Sequence, residues 1–234
     1  MIQQINSKQL HFPDPHEANE DGIVAWGGDL HPYRLIKAYQ MGIFPWYSKK
    51  EPILWWSPDP RLILELDDYK LRKSLKKNIK KYSYKINHNF DAVINECSNK
   101  KRKGQKEGSW IINDVIEAYN ILHEIGIAHS IESYNKDGKL VGGLYGLSIG
   151  KVFCGESMFA HENDASKAAF TILIEHLKNW GYDFIDCQIP TQHLKSLGAI
   201  EVNREYFLER LYSVNTIKLE HKWELKEELV DKYY

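Results

Sequence analysis

The chain has 234 residues, of which 43% are hydrophobic and 27% are charged, and its formal net charge is −1. This composition is that of an ordinary globular protein and excludes a collagen-like, disordered or disulfide-dense chain. Its three cysteines are widely spaced and contain no CxxC pair, so we expect neither a disulfide framework nor a structural zinc site.

The N-terminus and the apolar runs predict a cytoplasmic protein. The chain begins with neither the basic start nor the apolar stretch of a signal peptide. Its longest apolar runs are far shorter than a membrane span. The odd number of cysteines favours a reducing compartment. Because no coiled-coil or repeat pattern is present, we expect a monomer without membrane association.

Charge is unevenly distributed along the chain. Residues 61–110 carry 14 basic and 6 acidic side chains, whereas residues 111–234 carry 12 basic and 19 acidic ones. This asymmetry favours two partners of opposite charge, one polyanionic and one cationic. Two solvated faces without partners would give the same distribution, so charge alone leaves both interpretations open.

The first 60 residues differ in composition from the rest. They contain seven of the eight prolines and four of the seven tryptophans. The shift predicts an N-terminal domain of residues 1–60 and a second domain of residues 61–234. We expect the first domain to be rich in loops, with one helix that begins near Pro32 and stops at Gly42.

The next segment is predicted to be a basic helix. Leu71, Leu75 and Ile79 fall at helical spacing and define its apolar face. The remaining positions carry seven basic side chains, which are the best candidates for contacts with the phosphates of a polyanionic partner: Lys70, Arg72, Lys73, Lys76, Lys77, Lys80 and Lys81. Residues 100–106 are a second basic stretch, predicted to be an exposed loop.

The remaining elements alternate between helices and strands. The predicted helices cover residues 90–97, 113–126 with Asn113 as N-cap, 164–181, 191–198 and 205–211. The predicted strands cover residues 128–134, 139–149, 152–159 and 184–188, the first two joined by an Asp-Gly turn. This order predicts an α/β (α+β) domain of three layers with a mixed sheet.

Several short blocks stand out within this pattern. They read GGDL (27–30), AYQMGIFPWYS (38–48), PILWWSPDPR (52–61), GSWI (108–111), VGGLYG (141–146), FCGESMF (153–159), IDCQ (185–188) and SLGA (196–199). In this order they resemble the leucyl/phenylalanyl-tRNA–protein transferase family. The resemblance covers roughly residues 10–210, and the Trp/Pro-rich stretch of residues 42–61 is its most distinctive part.

The resemblance implies both a fold and a reaction. The implied fold is a small N-terminal domain on a GNAT-like acyltransferase domain. The implied reaction transfers Leu or Phe, and less readily Met, from aminoacyl-tRNA to proteins with N-terminal Arg or Lys, which marks them for degradation. No metal or diffusible cofactor is expected. An aminoacyl ester is already activated, and a peptide α-amine has a pKa of about 7.7–8.0, so a covalent nucleophile is unnecessary.

The resemblance also implies the catalytic residues, which are Glu156, Asp186 and Gln188. Strand alternation places Asp186 and Gln188 on one face, so Asp186 is expected to orient Gln188. Gln188 would position the amine or the tetrahedral oxygen, because a carboxamide is a poor base. Glu156 would bind the incoming ammonium group or the basic side chain, and the proton acceptor stays open. From the residues alone, hydrogen-bonded polar groups at a strand end are the better explanation of this pattern.

Two substrate-binding sets come from the same resemblance. The terminal adenosine would contact the aromatic residues Trp46, Trp110 and Tyr39. The Leu or Phe side chain would enter an apolar pocket made by Leu144, Phe153, Met158, Phe170 and Ile185. Without the resemblance, these five residues would be assigned to an ordinary core.

Three other functions are compatible with parts of the sequence. An acyl-CoA-dependent GNAT enzyme would need a glycine-rich turn that enters a helix, but residues 159–164 contain no glycine. A non-catalytic RNA-binding module would explain the basic segment and leave the GESMF and IDCQ blocks without a role. A metal site at His161, Glu162 and Asp164 lacks a spaced fourth ligand.

Overall fold

The computed structural model describes residues 2–8, 10–99 and 109–234 of the chain. Its strands are β1 (Gln3–Ile5), β2 (Ile23–Gly27), β3 (Phe44–Pro45), β4 (Leu54–Trp56), β5 (Arg61–Glu65), β6 (Ser83–Ile86), β7 (Ala128–Tyr134), β8 (Leu140–Ile149), β9 (Val152–Ala160), β10 (Phe184–Gln188) and β11 (Ile200–Val202). Its helices are α1 (Pro32–Gln40), α2 (Lys73–Ile79), α3 (Phe90–Asn99), α4 (Asn113–Glu124), α5 (Ala165–Trp180), α6 (Gln192–Lys195), α7 (Arg204–Val214) and α8 (Glu227–Asp231).

The N-terminal segment contains a sheet that the sequence did not reveal. Strands β1, β2, β4 and β3 lie side by side in that order, and the predicted helix is present as α1. The prediction of one helix in this segment is therefore confirmed, but the prediction did not include these four strands. Each of the four strands has only two to five residues, which is too short for a readable alternation of apolar and polar positions.

The larger sheet has seven strands in the order β11-β5-β10-β9-β8-β7-β6. Only β9 and β10 are parallel, and the other neighbours are antiparallel. The predicted mixed sheet is thus confirmed, as are all four predicted strands, which correspond to β7, β8, β9 and β10. The short strands β5, β6 and β11 were not predicted.

Helices cover both faces of the seven-stranded sheet. One face packs against α3, α4 and α7 and against the N-terminal segment, through inward residues such as Tyr145 and Phe184. The other face packs against α2, α5 and α8, through residues such as Leu144 and Ile185. Successive residues of a strand point to opposite faces, so each central strand contributes to both cores. The predicted three-layer α/β architecture is confirmed.

Two helix predictions need correction. Helix α2 begins at Lys73 and ends at Ile79, so four of the seven candidate phosphate-binding residues lie outside it. The backbone N–H of Lys70 bonds to the Leu197 carbonyl, which keeps the chain out of the helix at that point. Ile112 is at the N-cap position of α4, and Asn113 is the first helical residue without a capping bond.

The second basic stretch, residues 100–106, lies outside the described residues. Within the described ranges, no helix is long and apolar enough to cross a lipid bilayer.

Candidate active site

The candidate site lies where two parallel strands separate. Strands β9 and β10 pair from Val152 and Phe184 up to Cys154 and Asp186, and their pairing stops there. Just beyond this point β9 contains a bulge in its pairing with β8. Gly146 pairs with Gly155 and Tyr145 pairs with Ser157, so Glu156 is the extra residue without a partner in the register. A bulge bends a strand and changes where its side chains point. The separation opens a gap in the middle of the sheet.

A cavity of about 560 Å³ occupies this gap. Its size is within the range of small-molecule binding sites, and its wall is mainly apolar. The lining residues are Phe44, Pro45, Trp46, Trp110, Leu144, Tyr145, Phe153, Gly155, Glu156, Ser157, Met158, Phe170, Ile185, Cys187, Gln188, Ile189, Thr191, His193 and Leu194.

The apolar lining divides between the two faces of the sheet. On the α5 side, the residues share a core cluster and form an apolar chamber: Leu144, Phe153, Met158, Phe170, Ile185, Cys187 and Leu194. On the opposite side, Phe44 and Trp110 belong to the other core cluster. Trp46 also lines the cavity and is 36% exposed. The cavity therefore connects an apolar chamber with an aromatic one.

Glu156 lines the cavity and accepts hydrogen bonds from three side chains. Its Oε1 accepts from the Tyr39 hydroxyl at 2.6 Å and from Gln188 Nε2 at 2.7 Å. Its Oε2 accepts from the Tyr119 hydroxyl at 3.3 Å. Burial raises the pKa of Glu156 to about 7, although the bonds from Tyr39 and Gln188 oppose the shift. A carboxyl group with this pKa exchanges protons readily near neutral pH.

The two tyrosines remain hydrogen-bond donors over the whole physiological range. Tyr39 and Tyr119 are buried, and their hydroxyl oxygens are 2.5 Å apart. Burial and the nearby Glu156 carboxylate raise the pKa of both phenols well above the usual value. Tyr39 does not line the cavity, so its predicted contact with adenosine is not favoured by this geometry. The structure places it behind Glu156.

Gln188 reaches the cavity because strand β10 loses its regular alternation. Its φ angle is +61°, in the left-handed region that is uncommon for a residue with a side chain, and the β5–β10 register shifts between Asp186 and Gln188. The backbone N–H of Gln188 donates to Asp186 Oδ1 at 3.0 Å. Asp186 thus contacts the Gln188 backbone, as part of a local turn.

Asp186 does not line the cavity, whereas Gln188 does, although strand alternation places both on one face. Its side chain is buried and forms two hydrogen bonds with the guanidinium of Arg61, at 2.8 and 2.7 Å. The register shift after Asp186 removes the two-residue repeat on which the expectation was based. Asp186 therefore acts on the cavity only indirectly, through its hydrogen bond with the backbone of Gln188.

The structure brings most other candidate residues together. All five predicted pocket residues line the cavity, and so do Trp46 and Trp110. The seven basic residues from Lys70 to Lys81 do not line it and are exposed on and around α2. Helix α2 packs on α5, the helix that carries Phe170. Lys80 already donates to the carbonyl oxygen of Tyr234.

Sequence reasoning missed several residues of the site. Cys187 follows Ile185 at the spacing of two that strand alternation predicts, so this signal was available. Tyr119 lies within the predicted helix of residues 113–126, and nothing local shows that its hydroxyl reaches Glu156. Arg61 was placed at a domain boundary, and its partner Asp186 lies 125 positions away.

The metal alternative has no support in the described part of the chain. No group of three or more His, Cys, Asp or Glu side chains there is arranged to hold a metal ion. His161 bonds to Glu96 at 2.8 Å, and Asp164 pairs with Lys167 at 2.7 Å.

Comparisons with known proteins cover nearly the whole chain. The family model for leucyl/phenylalanyl-tRNA protein transferase matches residues 63–212, and the model for the N-terminal domain of that family matches residues 28–59. A leucyl/phenylalanyl-tRNA–protein transferase from Sulfurimonas denitrificans is 61% identical over 225 residues, which is 96% of this chain and 98% of the relative. One from Nitrosospira multiformis is 48% identical over 236 residues, covering 99% and 100%.

Similarity to solved structures is more distant. The structure of L-PGS from Bacillus licheniformis aligns with 67% of this chain and 56% of its own, at 15% identity and a TM-score of 0.38. This likeness is too low to support an inference about activity.

Proposed function

Because the chain belongs to the leucyl/phenylalanyl-tRNA–protein transferase family and is therefore an aminoacyltransferase, we propose the following specific reaction. It moves Leu or Phe, and less readily Met, from aminoacyl-tRNA to the α-amine of proteins that begin with Arg or Lys. The added residue marks the acceptor protein for degradation. The fold we propose for the larger domain, residues 61–234, is GNAT-like, with residues 1–60 as the smaller domain.

One observation carries this proposal. A single cavity is lined by apolar side chains on one side of the sheet and by aromatic ones on the other, and its wall also contains the hydrogen-bonded pair Glu156 and Gln188. The 3′ end of an aminoacyl-tRNA has the same order of parts, namely an apolar side chain, an ester and an adenosine. We assign the side chain to the chamber that contains Phe153 and Phe170, and the adenosine to Trp46 and Trp110.

The chemistry follows from the position of the ester between the chambers. The acceptor first loses one proton from its ammonium group to solvent, and its neutral nitrogen attacks the ester carbonyl carbon. A C–N bond forms and the C–O bond to the adenosine 3′ oxygen breaks. Glu156, with a pKa of about 7, takes the second amine proton and returns it to the departing oxygen. The second N–H of the Gln188 carboxamide is available to the tetrahedral oxygen.

The tRNA body is assigned to the exposed basic side chains on and around α2. Phosphate contacts fix the position of a nucleic acid without reading its sequence, so recognition depends mainly on the charged 3′ end. Residues 111–234 carry an excess of acidic side chains, which favours binding of an acceptor that begins with Arg or Lys. We propose a monomer that acts in the cytoplasm without a metal or diffusible cofactor.

The test is transfer of labelled Phe from Phe-tRNA to three peptides that differ only at the N-terminus: free Arg, Nα-acetylated Arg and free Ala. The proposal predicts label on the free-Arg peptide alone. Equal labelling of the Ala peptide would contradict the acceptor rule. Tight tRNA binding without label on any peptide would contradict the reaction and favour an RNA-binding module. An arm with labelled acetyl-CoA in place of the tRNA tests the acyl-CoA alternative, and we expect no transfer there.

A further inference from the structure

Arg61 does not line the cavity. It forms an ion pair with Asp186, which accepts a hydrogen bond from the backbone of Gln188. We propose that Arg61 is a positioning residue for aminoacyl transfer, because it fixes Asp186 and thereby the side chain that Gln188 presents to Glu156. The inference rests on the proposed function and adds a residue to it.

The first link is a buried bidentate ion pair. Arg61 and Asp186 are each 1% exposed. Arg61 Nε donates to Asp186 Oδ1 at 2.8 Å, and Nη2 donates to Oδ2 at 2.7 Å. Two parallel bonds between a planar guanidinium and a carboxylate fix the orientation of the carboxylate as well as its position.

The second link passes from Asp186 to Gln188. Oδ1 of Asp186, which accepts from Arg61, also accepts the backbone N–H of Gln188 at 3.0 Å. Gln188 has a left-handed backbone conformation, which costs free energy for a residue with a side chain and persists only when its surroundings hold it. The Asp186 bond is one such constraint. From this conformation, Gln188 Nε2 bonds to Glu156 at 2.7 Å.

Arg61 is itself held by the segment that forms the aromatic chamber. Its Nη1 donates to the carbonyl oxygen of Gly42 at 3.1 Å. Its guanidinium lies over the rings of Phe44 and Phe207, with centroid distances of 4.9 and 4.3 Å. Phe44 lines the cavity, so one side chain connects the proposed adenosine wall with the Asp186–Gln188 turn.

The chain offers a matched control for this role. Arg34 is also fully buried, pairs with Asp29 at 3.1 Å and donates to the carbonyl oxygen of Asn6 at 3.0 Å. Neither Arg34 nor Asp29 lines the cavity. An arginine that only stabilises the fold should behave like Arg34 when it is replaced by lysine.

The experiment compares the wild type with R61K, D186N, the double variant R61K/D186N and R34K. A stable amide analogue of phenylalanyl-adenosine is titrated first, which gives its Kd and the concentration of competent sites. Transfer of Phe from Phe-tRNA to the free-Arg peptide is then expressed as kcat per competent site. Counting sites in this way removes any effect of partial unfolding from kcat.

We expect R61K and D186N each to lower kcat about 10- to 100-fold, with the analogue Kd within about twofold of the wild type, because small misplacements of catalytic groups have effects of this size. The double variant should be no worse than the poorer single variant, since the two residues act as one unit. R34K should keep the wild-type kcat.

Three results would overturn the inference: an unchanged kcat per site in R61K, losses that multiply in the double variant, or an equal loss in R34K. If R61K yields no competent sites, the D186N variant tests the same ion pair through its other member. A wild-type kcat in D186N would also overturn the inference. A wild-type protein that transfers no Phe contradicts the proposed function instead.

Discussion

Gln188 donates a 2.7 Å hydrogen bond from its side-chain nitrogen to the carboxylate of Glu156, across the gap where β9 and β10 cease to pair. Each residue reaches this gap through a local irregularity, a bulge at Glu156 and a left-handed backbone at Gln188. The two irregularities place a carboxylate and a carboxamide in the wall of the cavity.

The apolar chamber should set the preference between Leu and Phe. Phe170→Leu removes a buried ring from the chamber wall and leaves more room for a larger side chain. We expect the ratio of kcat/KM for Phe-tRNA to that for Leu-tRNA to rise about 5- to 10-fold, in line with about 1–3 kcal/mol per methylene in an apolar pocket. Competition between the two charged tRNAs measures this ratio.

Phe12→Leu is the matched control for Phe170→Leu. Phe12 is equally buried, packs edge-on against Trp55 at 4.8 Å and does not line the cavity. An unchanged ratio in F170L, or the same change in F12L, would contradict the assignment of the chamber.

The aromatic chamber should bind the terminal adenosine. Trp46→Ala removes a ring that is 36% exposed, so we expect little effect on folding. Loss of base stacking at about 1–3 kcal/mol should raise the Kd of a phenylalanyl-adenosine analogue about 5- to 150-fold. Isothermal titration calorimetry measures this Kd.

Tyr33→Ala is the control, because it removes a 68% exposed ring outside the cavity and should leave the Kd of the analogue unchanged. Equal effects of the two variants would argue against stacking on Trp46.

The basic surface of α2 should bind the tRNA body. The triple variant K73Q/K76Q/K77Q removes three exposed charges from the helix. We expect weaker tRNA binding, and a slope of log K against log salt that is smaller by up to about 2–3, because each phosphate contact contributes about 0.7–0.9. Binding of uncharged tRNA at several salt concentrations gives the slope.

A second triple variant separates local contacts from total charge. K136Q/K139Q/K222Q removes the same number of exposed charges from elsewhere on the chain. Its salt slope should equal that of the wild type. If both triple variants change the slope alike, the effect is one of net charge, and α2 is not the contact surface.

Sequence patterns predicted the long elements of the fold and missed the short ones. Strands β7, β8, β9 and β10 and helix α5 each give a clear periodicity or begin and end at recognisable residues, such as Gly181 after α5. The N-terminal sheet is built from strands of two to five residues, three of which contain proline, glycine or tryptophan. Such strands are defined by their partners in space, which local periodicity does not reveal.

The site was partly predictable for a related reason. Most of the residues that line the cavity occur in the short blocks recognised in the sequence, and both tryptophans and all five apolar candidates lie in its wall. The supporting contacts are long-range, since Arg61 meets Asp186 and Tyr39 meets Glu156 only in the folded chain. Strand alternation also failed at Gln188, because it assumes a regular strand and this one shifts its register.

The central claim is that Glu156 exchanges the proton during transfer at this cavity. Glu156→Gln keeps the shape of the side chain and an oxygen that accepts from Tyr39, but it removes the titrating group. We expect single-turnover transfer of Phe to the free-Arg peptide to fall about 100-fold or more at pH 8, within the range for general acid–base catalysis.

The most direct measurement is the ratio of the wild-type rate to the E156Q rate between pH 5.5 and 9. Titration of the peptide amine affects both enzymes and cancels in this ratio. Because only the carboxylate form of Glu156 accepts a proton, and its pKa is about 7, the ratio should rise with pH and level off above about pH 8. A ratio that stays near one, or that does not change with pH, would contradict proton transfer through Glu156.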